Sequence, residues 1–276
     1  MRIDAHQHFW QPGRGDYDWM PKGDAVLDRP CLPDELAPQL AAAGIGGTVL
    51  VQAAATVNET EYMLGLADAV PMVRGVVGWV DFEDPAARRD LERLKGHPKF
   101  RGVRPMIQDI PDDDWMLRAD VQWAYAALAD LDLTFDALGF PRHLANFLTL
   151  LGRYPKLRVV LDHCMKPQIG QGRAGFDHWA EGMSRLADET GAMLKLSGLI
   201  TEAGPDWRIA DLQPYVAHVL KVFGPDRIMW GSDWPVCRLS GDYADWRAAS
   251  ETLLADLPAV DRDRIFGGTA VGFYRL

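Results

Sequence analysis

Two short segments at opposite ends of the chain carry side chains that could do chemistry together. Near the start, Ile3-Asp4-Ala5-His6-Gln7-His8 is a short strand-like run that ends in His-x-His. Near the end, Ile228-Met229-Trp230-Gly231-Ser232-Asp233 is an apolar strand that ends in an acid. Alternate residues of a strand project to the same side, so His6 and His8 point together. Two imidazoles and a carboxylate form a donor set for a divalent metal ion, and equally a site that can take a proton from water. A His-x-His on its own is as readily an accident of a surface or a core. Its meaning depends on what the rest of the chain builds around it.

Apolar strand-like runs alternate with helical patterns from end to end, without a linker or charge block to divide residues 1–276 into domains. The runs Ile3–Ala5, Gly47–Ala53, Val73–Val80, Gly102–Met106, Leu133–Ala137, Arg158–Asp162, Ala192–Leu196 and Arg227–Trp230 read as strands. Between and after them, Pro33–Ala43, Glu59–Ala69, Pro85–Leu94, Ala119–Ala129, Pro141–Leu151, Phe176–Glu189, Leu212–Val222 and Tyr243–Leu254 read as helices. Pro33, Pro85 and Pro141 fall at helix starts, where a missing N–H costs little. Gly44 and Gly191 fall where left-handed C-terminal caps belong. Eight strands alternating with eight helices predict the α/β class, and within it a single closed parallel (β/α)8 barrel. The competing open, doubly wound sheet announces a nucleotide by a glycine-rich turn after its first strand. Here the first strand runs into His6-Gln7-His8-Phe9-Trp10.

In a barrel the site lies at the carboxyl ends of the strands. Those ends carry His6 and His8, Gln52, Trp79 and Asp81, Arg101 and Arg104, Asp136, Asp162 with His163 and Lys166, Lys195 and Ser197, and Ser232 with Asp233 and Trp234. Asp233 reads as a general base for an attacking water, against the plainer role of a helix cap. His163 reads as a second catalytic group, against a satisfied core histidine. Arg101 and Arg104 are three apart and must face opposite ways. Arg104, nearer the carboxyl end, is expected at the substrate, with Arg101 in an ion pair under the helices. Lys195 lies inside a strand, where an unpaired charge is costly, and is expected to pair with Asp136 or Asp162. Lys166, Gln52, Trp234 and Trp19, the last in a loop over the mouth at residues 16–20, complete the expected substrate contacts. Cys164 is expected to point away from its neighbour His163.

The net charge of −10, from 29 basic and 39 acidic residues, speaks against nucleic acid and anionic membranes as partners. Three cysteines, Cys31, Cys164 and Cys237, are widely spaced with no CxxC. With no basic-then-apolar leader and no long apolar run, they point to a reducing cytoplasm. A small molecule is the expected partner, and self-association as a homo-oligomer stays open.

The segments Ile3–Trp10, Val49–Ala53, Gly75–Trp79, Arg101–Arg104, Leu161–Pro167, Lys195–Leu199 and Gly231–Pro235 together resemble the amidohydrolase superfamily. The match is closest to its sugar-lactone hydrolase branch, which includes L-fuconolactonases and L-rhamnonolactonases. The resemblance implies a (β/α)8 barrel and opening of an aldonolactone, L-fucono-1,5-lactone or a similar sugar lactone, to its aldonic acid. It also implies one divalent metal, zinc or manganese, on His6, His8 and Asp233. Metal-dependent relatives add a lysine or histidine after the fourth or fifth strand, whereas this fifth strand reads Leu133-Thr134-Phe135-Asp136-Ala137. That departure implies a weak or dispensable metal. The alternative reading is a metal-dependent decarboxylase or hydrolase for an aromatic or dicarboxylic acid derivative.

Overall fold

The computed structural model describes residues 1–276 and, apart from residues 172–174, their side chains. Eight strands run in chain order: β1 Ile3–Gln7, β2 Gly47–Val51, β3 Val73–Gly78, β4 Phe100–Val103, β5 Thr134–Ala137, β6 Arg158–Leu161, β7 Met193–Leu196 and β8 Ile228–Trp230. Each pairs in parallel with the next, from Ile3↔Gly47 at one end of the series to Leu196↔Trp230 at the other. The helices are α1 Pro33–Ala42, α2 Val57–Ala69, α3 Arg88–Lys95, α4 Gln122–Asp130, α5 Leu144–Arg153, α6 Phe176–Glu189, the short α7 Leu199–Ala203, α8 Ile209–Phe223, α9 Tyr243–Leu253, α10 Ala259–Asp263 and α11 Thr269–Tyr274. The alternating order confirms the (β/α)8 barrel.

The seam between first and last strand lies just past their ends. Asp233 N donates to His6 O (2.8 Å), and His8 N donates to Trp234 O (2.7 Å). Asp4 stiffens the same seam by accepting from Ser232 N (2.9 Å) and His6 N (3.2 Å). Buried among these strands, its carboxyl is pushed up to about 6 by loss of water.

Strands buried on both faces read as apolar runs, and two apolar clusters result. One fills the barrel with Ile3, Ala5, Val49, Val51, Val77, Val160 and Met229, sealed from below by Ala270, Phe273 and Tyr274 of α11. The other lies between strands and helices. The alternation pattern does not reveal α7, α10 or α11, because they carry no strand–helix repeat. Pro85 and Pro141 open 3₁₀ turns that run on into α3 and α5, which moves both helix starts three residues downstream. Gly44 is left-handed at φ +65° as expected, but Gly191 is not, because α6 ends in the extended residue Thr190. Arg101 also departs from expectation. Its Nε is buried without a partner, and its neighbours Arg158 and Arg275 are cations.

Gly102 in β4 lies against β5 so closely that a Cβ there would stand 2.0 Å from Thr134 Oγ1 and 2.3 Å from Thr134 O. Gly102→Ala must therefore force two barrel strands apart. The expected loss is about 1–3 kcal/mol, the usual range for overpacking, read as a drop in denaturant midpoint at unchanged m-value.

Candidate active site

The interior of the barrel holds a charged cluster beneath the mouth. Lys195, from β7, contacts Asp136 Oδ2 of β5 at 2.6 Å, Asp162 Oδ1 at 3.0 Å and His6 Nδ1 at 3.0 Å. Lys195, Asp136, Asp162 and His6 are all sealed from solvent. Both carboxylates considered for Lys195 are thus its partners. Arg104 adds a second cation, with Nη1 3.3 Å from Asp162 Oδ2 and 3.3 Å from His6 Nε2. Burial alone would raise the Asp162 carboxyl, but Lys195, His6 and Arg104 outweigh it and hold the group well below the carboxylate range. For Asp136 burial prevails over Lys195 and the carboxyl moves up.

Above this layer three imidazoles converge on one carboxylate oxygen. Asp233 Oδ1 lies 3.3 Å from His8 Nε2, 3.8 Å from His6 Nε2 and 3.9 Å from His163 Nε2. His8 is fixed through Nδ1 by Val51 O (2.8 Å), and His163 through Nδ1 by Ser197 Oγ (2.9 Å). Loss of water drives all three histidines toward the neutral form, His163 to about 4. Burial pushes the Asp233 carboxyl up, but His163, His8 and His6 outweigh it and keep it below the usual carboxylate range. At neutral pH the arrangement is therefore a carboxylate ringed by neutral imidazoles.

The backbone that aims these groups is strained. His163, Cys164, Met165 and Lys166 are left-handed in succession, at φ 52°, 50°, 59° and 48°, and Asp233 stands at φ 59°. For residues with a Cβ this costs on the order of 1–2 kcal/mol each, and such runs persist only where the surroundings enforce them. The tight left-handed turn closes with Lys166 N donating to His163 O (2.8 Å). It sends His163 and Lys166 into the mouth while Cys164 and Met165 go into the core. Gly198 makes room for it, since a Cβ there would lie 2.8 Å from His163 Nδ1. Cys164 is buried and its thiol is pushed up to about 12, which makes it a packing residue.

A cavity of about 300 Å³ opens over this centre, lined by His8, His163, Asp233, Arg104, Lys166 and Trp19, among other side chains. Two residues expected at the substrate do not line it. Gln52 is fully buried behind Arg104, with Nε2 donating to Arg104 O (2.6 Å) and its backbone carbonyl accepting from Arg104 Nη2. It holds the arginine rather than facing the cavity. Trp234 is fully buried, its ring 5.9 Å from that of Phe9. At a barrel seam the residue next to a site residue points into the wall, so Trp234 belongs to the core. Trp10, Leu27, Met106, Leu138, Val236 and Leu239 line the cavity without having been singled out in the sequence. Trp10 alone carried a signal, as the second aromatic after His8. Of the loop at residues 16–20, Trp19 reaches the cavity and is tied down by Nε1 donating to Ala53 O (2.6 Å). A larger cavity of about 600 Å³, between Phe176, Trp207 and Tyr215, gathers no comparable set of groups among the described residues.

His6, His8 and Asp233 place one donor atom each within 4.8 Å of one another, as do His6, Asp162 and His163. The first set suits a divalent ion in ligand type and convergence, and His8 suits it in tautomer too, because its Nδ1–H is spent on Val51 O. His6 suits it less well, since Lys195 occupies Nδ1 and Arg104 stands beside Nε2.

Fold and site together define a (β/α)8-barrel protein with a His/Asp centre at the carboxyl ends of its strands. Residues 3–276 match the amidohydrolase family model, and the chain belongs to the amidohydrolase family. It is 45% identical to the L-fucono-1,5-lactonase of Burkholderia ambifaria, over all of this chain and 96% of that protein. It is 35% identical to the L-fucono-1,5-lactonase of Burkholderia multivorans, over all of this chain and 96% of that protein. An amidohydrolase from Burkholderia multivorans, solved with bound zinc, superposes at a TM-score of 0.94 with 36% identity, covering all of this chain and 99% of that one.

The protonation pattern sets the pH dependence. Asp233 gains its proton only below the ordinary carboxylate range, and His163 stays neutral down to about 4. The kcat/KM profile should therefore be level from neutral pH to roughly one unit below the free-histidine value of about 6.5. A fall centred near 6.5 would contradict the neutral-imidazole site.

Proposed function

We propose that this chain opens the ring ester of an uncharged sugar lactone, of the L-fucono-1,5-lactone kind, to give the aldonic acid. The observation that carries the reading is the Asp233 carboxylate, buried at the cavity floor among three neutral imidazoles. The full-length relatives support the substrate class. Three free, buried cysteines suit a reducing cytoplasm, and among the described residues no helix is long and apolar enough to cross a membrane.

Asp233 accepts a proton from water as the water oxygen bonds to the lactone carbonyl carbon. The carbonyl oxygen gains negative charge within reach of donors on the same cavity wall. In this reading Ser197 Oγ is assigned as the donor to Nδ1, so that His163 carries its proton on Nε2 and presents it there. Arg104 and Lys166 line the same cavity. When the tetrahedral carbon re-forms its carbonyl, the bond to the ring oxygen breaks and that alkoxide takes back the proton held by Asp233. The sum is lactone plus water giving the hydroxy acid. A divalent ion on His6, His8 and Asp233 would add positive charge that favours water ionisation and polarises a carbonyl.

Among the described residues only Arg104 and Lys166 supply cations to the cavity lining, and Arg238 is engaged by Glu35 at 2.7 Å outside it. That supply is thin for a dicarboxylate or aromatic acid and ample for a neutral ring set against Trp10 and Trp19. Uncharged five- and six-carbon aldonolactones, 6-deoxy sugars included, should release protons on hydrolysis in a pH-indicator assay, and dicarboxylate lactones should be poor. Turnover confined to a dicarboxylate lactone would overturn the substrate reading.

Asp233→Asn preserves size and removes the proton acceptor. It should lower kcat by roughly 10²-fold or more with unchanged circular dichroism. Near-normal turnover would remove Asp233 from the reaction.

The cations beside His6 lead to a further expectation, that any metal is held weakly. Elemental analysis of the purified protein should give well under one equivalent, and chelators should leave most activity. Stoichiometric zinc, with complete and metal-reversible loss on chelation, would show the opposite.

A further inference from the structure

The mechanism above uses nothing from the C-terminal helix, yet that helix sends one polar atom into the charged cluster. Tyr274, at the end of α11, is buried beneath the barrel, and its Oη donates to Asp136 Oδ2 at 2.7 Å. The same oxygen receives Lys195 Nζ at 2.6 Å, and Asp136 Oδ1 receives Thr134 Oγ1 at 3.3 Å. Lys195 in turn reaches His6 Nδ1 at 3.0 Å. An unbroken chain of hydrogen bonds thus runs from the floor of the barrel to an imidazole of the site: Tyr274, Asp136, Lys195, His6.

We infer that Tyr274 is a positioning residue for the hydrolytic centre, which holds Asp136 so that Lys195 presents a proton to His6 Nδ1. Tyr274 and Lys195 share one acceptor, Asp136 Oδ2. A carboxylate oxygen that accepts from both a phenol and an ammonium draws less strongly on each. Without the phenol, Asp136 has only Lys195 at Oδ2 and pulls it toward β5, away from His6. A neutral imidazole that accepts at Nδ1 carries its proton at Nε2, where His8 Nε2 lies 3.2 Å away to accept it, so the ammonium position favours hydrogen on Nε2 against the Arg104 donor 3.3 Å from the same nitrogen. The sequence gives no hint of this role, since Phe273-Tyr274 looks like any aromatic pair at a chain end.

The inference rests on the proposed lactone hydrolysis for its kinetic arm alone. Tyr274→Phe removes one oxygen and keeps the ring. Losing a hydrogen bond to a charged group is expected to lower kcat roughly tenfold or more, with KM on an aldonolactone unchanged within a factor of about two. In protein labelled with 15N-histidine, the His6 Nδ1 resonance, identified by its absence in His6→Asn, should move downfield as its hydrogen bond weakens. Phe273→Leu, in the same helix, should lower thermal stability while leaving both kcat and the His6 signal unchanged. If Tyr274→Phe fails to fold, 3-fluorotyrosine at position 274 keeps the packing and strengthens the donor. It should shift the His6 signal upfield, opposite to the loss of the hydroxyl. An unmoved His6 signal in the hydroxyl-altered proteins overturns the inference, as does Phe273→Leu reproducing the effect. Should the wild-type protein hydrolyse no lactone, the nitrogen signal still decides the positioning role, and only the substrate reading falls.

Discussion

Everything at the mouth of this barrel stands on one buried ammonium. Lys195 lies at the centre of the barrel, touching Asp136, Asp162 and His6, with no solvent access to any of the four. Remove it and two carboxylates are left facing each other in a medium that cannot screen them, a situation that costs several kcal/mol. With it in place, Asp162 stays ionised and in turn holds Arg104 at 3.3 Å, while Gln52 braces the same arginine from behind. The ionic layer thus sits on the apolar fill of the barrel and takes the place of its uppermost part. It gives His6 a fixed surrounding on both ring nitrogens.

The division of labour between this layer and the one above it is electrostatic. Below, cations and carboxylates neutralise one another at short range. Above, imidazoles stripped of water stay neutral, and the one carboxylate among them keeps its charge. For the proposed reaction a carboxylate that stays ionised is ready for a proton, but a depressed pKa also makes it a weak base, so on that proposal its reactivity must come from position. The left-handed residues 163–166 and 233 supply that position, and their strain is offset by the packing of Cys164, Met165 and the seam.

Much of this was legible in the chain because barrels repeat. Strand and helix alternate with a period long enough to survive errors at their ends, and strand ends must face the mouth. The pairing of Lys195 followed from cost alone, since an ammonium inside a strand needs an acid opposite. What escaped notice lies where local pattern is silent. Trp234 sits at a strand end yet turns into the wall, because register across a closed seam cannot be read from one strand, and Gln52 turns to brace Arg104, just past β4, a partner that its own strand does not specify. Leu27, Val236 and Leu239 enter the cavity from loops whose path no periodicity records. Tyr274 reaches Asp136 across 138 positions of sequence, a distance over which no spacing rule speaks.

The seam has a temporal side. His6 and His8 are synthesised more than two hundred positions before Asp233. The two amides that stitch β1 to the end of β8 are those of Asp233 and His8. The bonds that close the barrel are therefore the same bonds that assemble the carboxylate with its imidazoles. A nascent chain holds β1 with one edge unpaired through most of its synthesis, and such long-range pairing forms late. Competence and closure arrive in a single event, so a chain truncated before its last strand lacks a piece of the centre and the latch that would keep the remaining seven strands from opening.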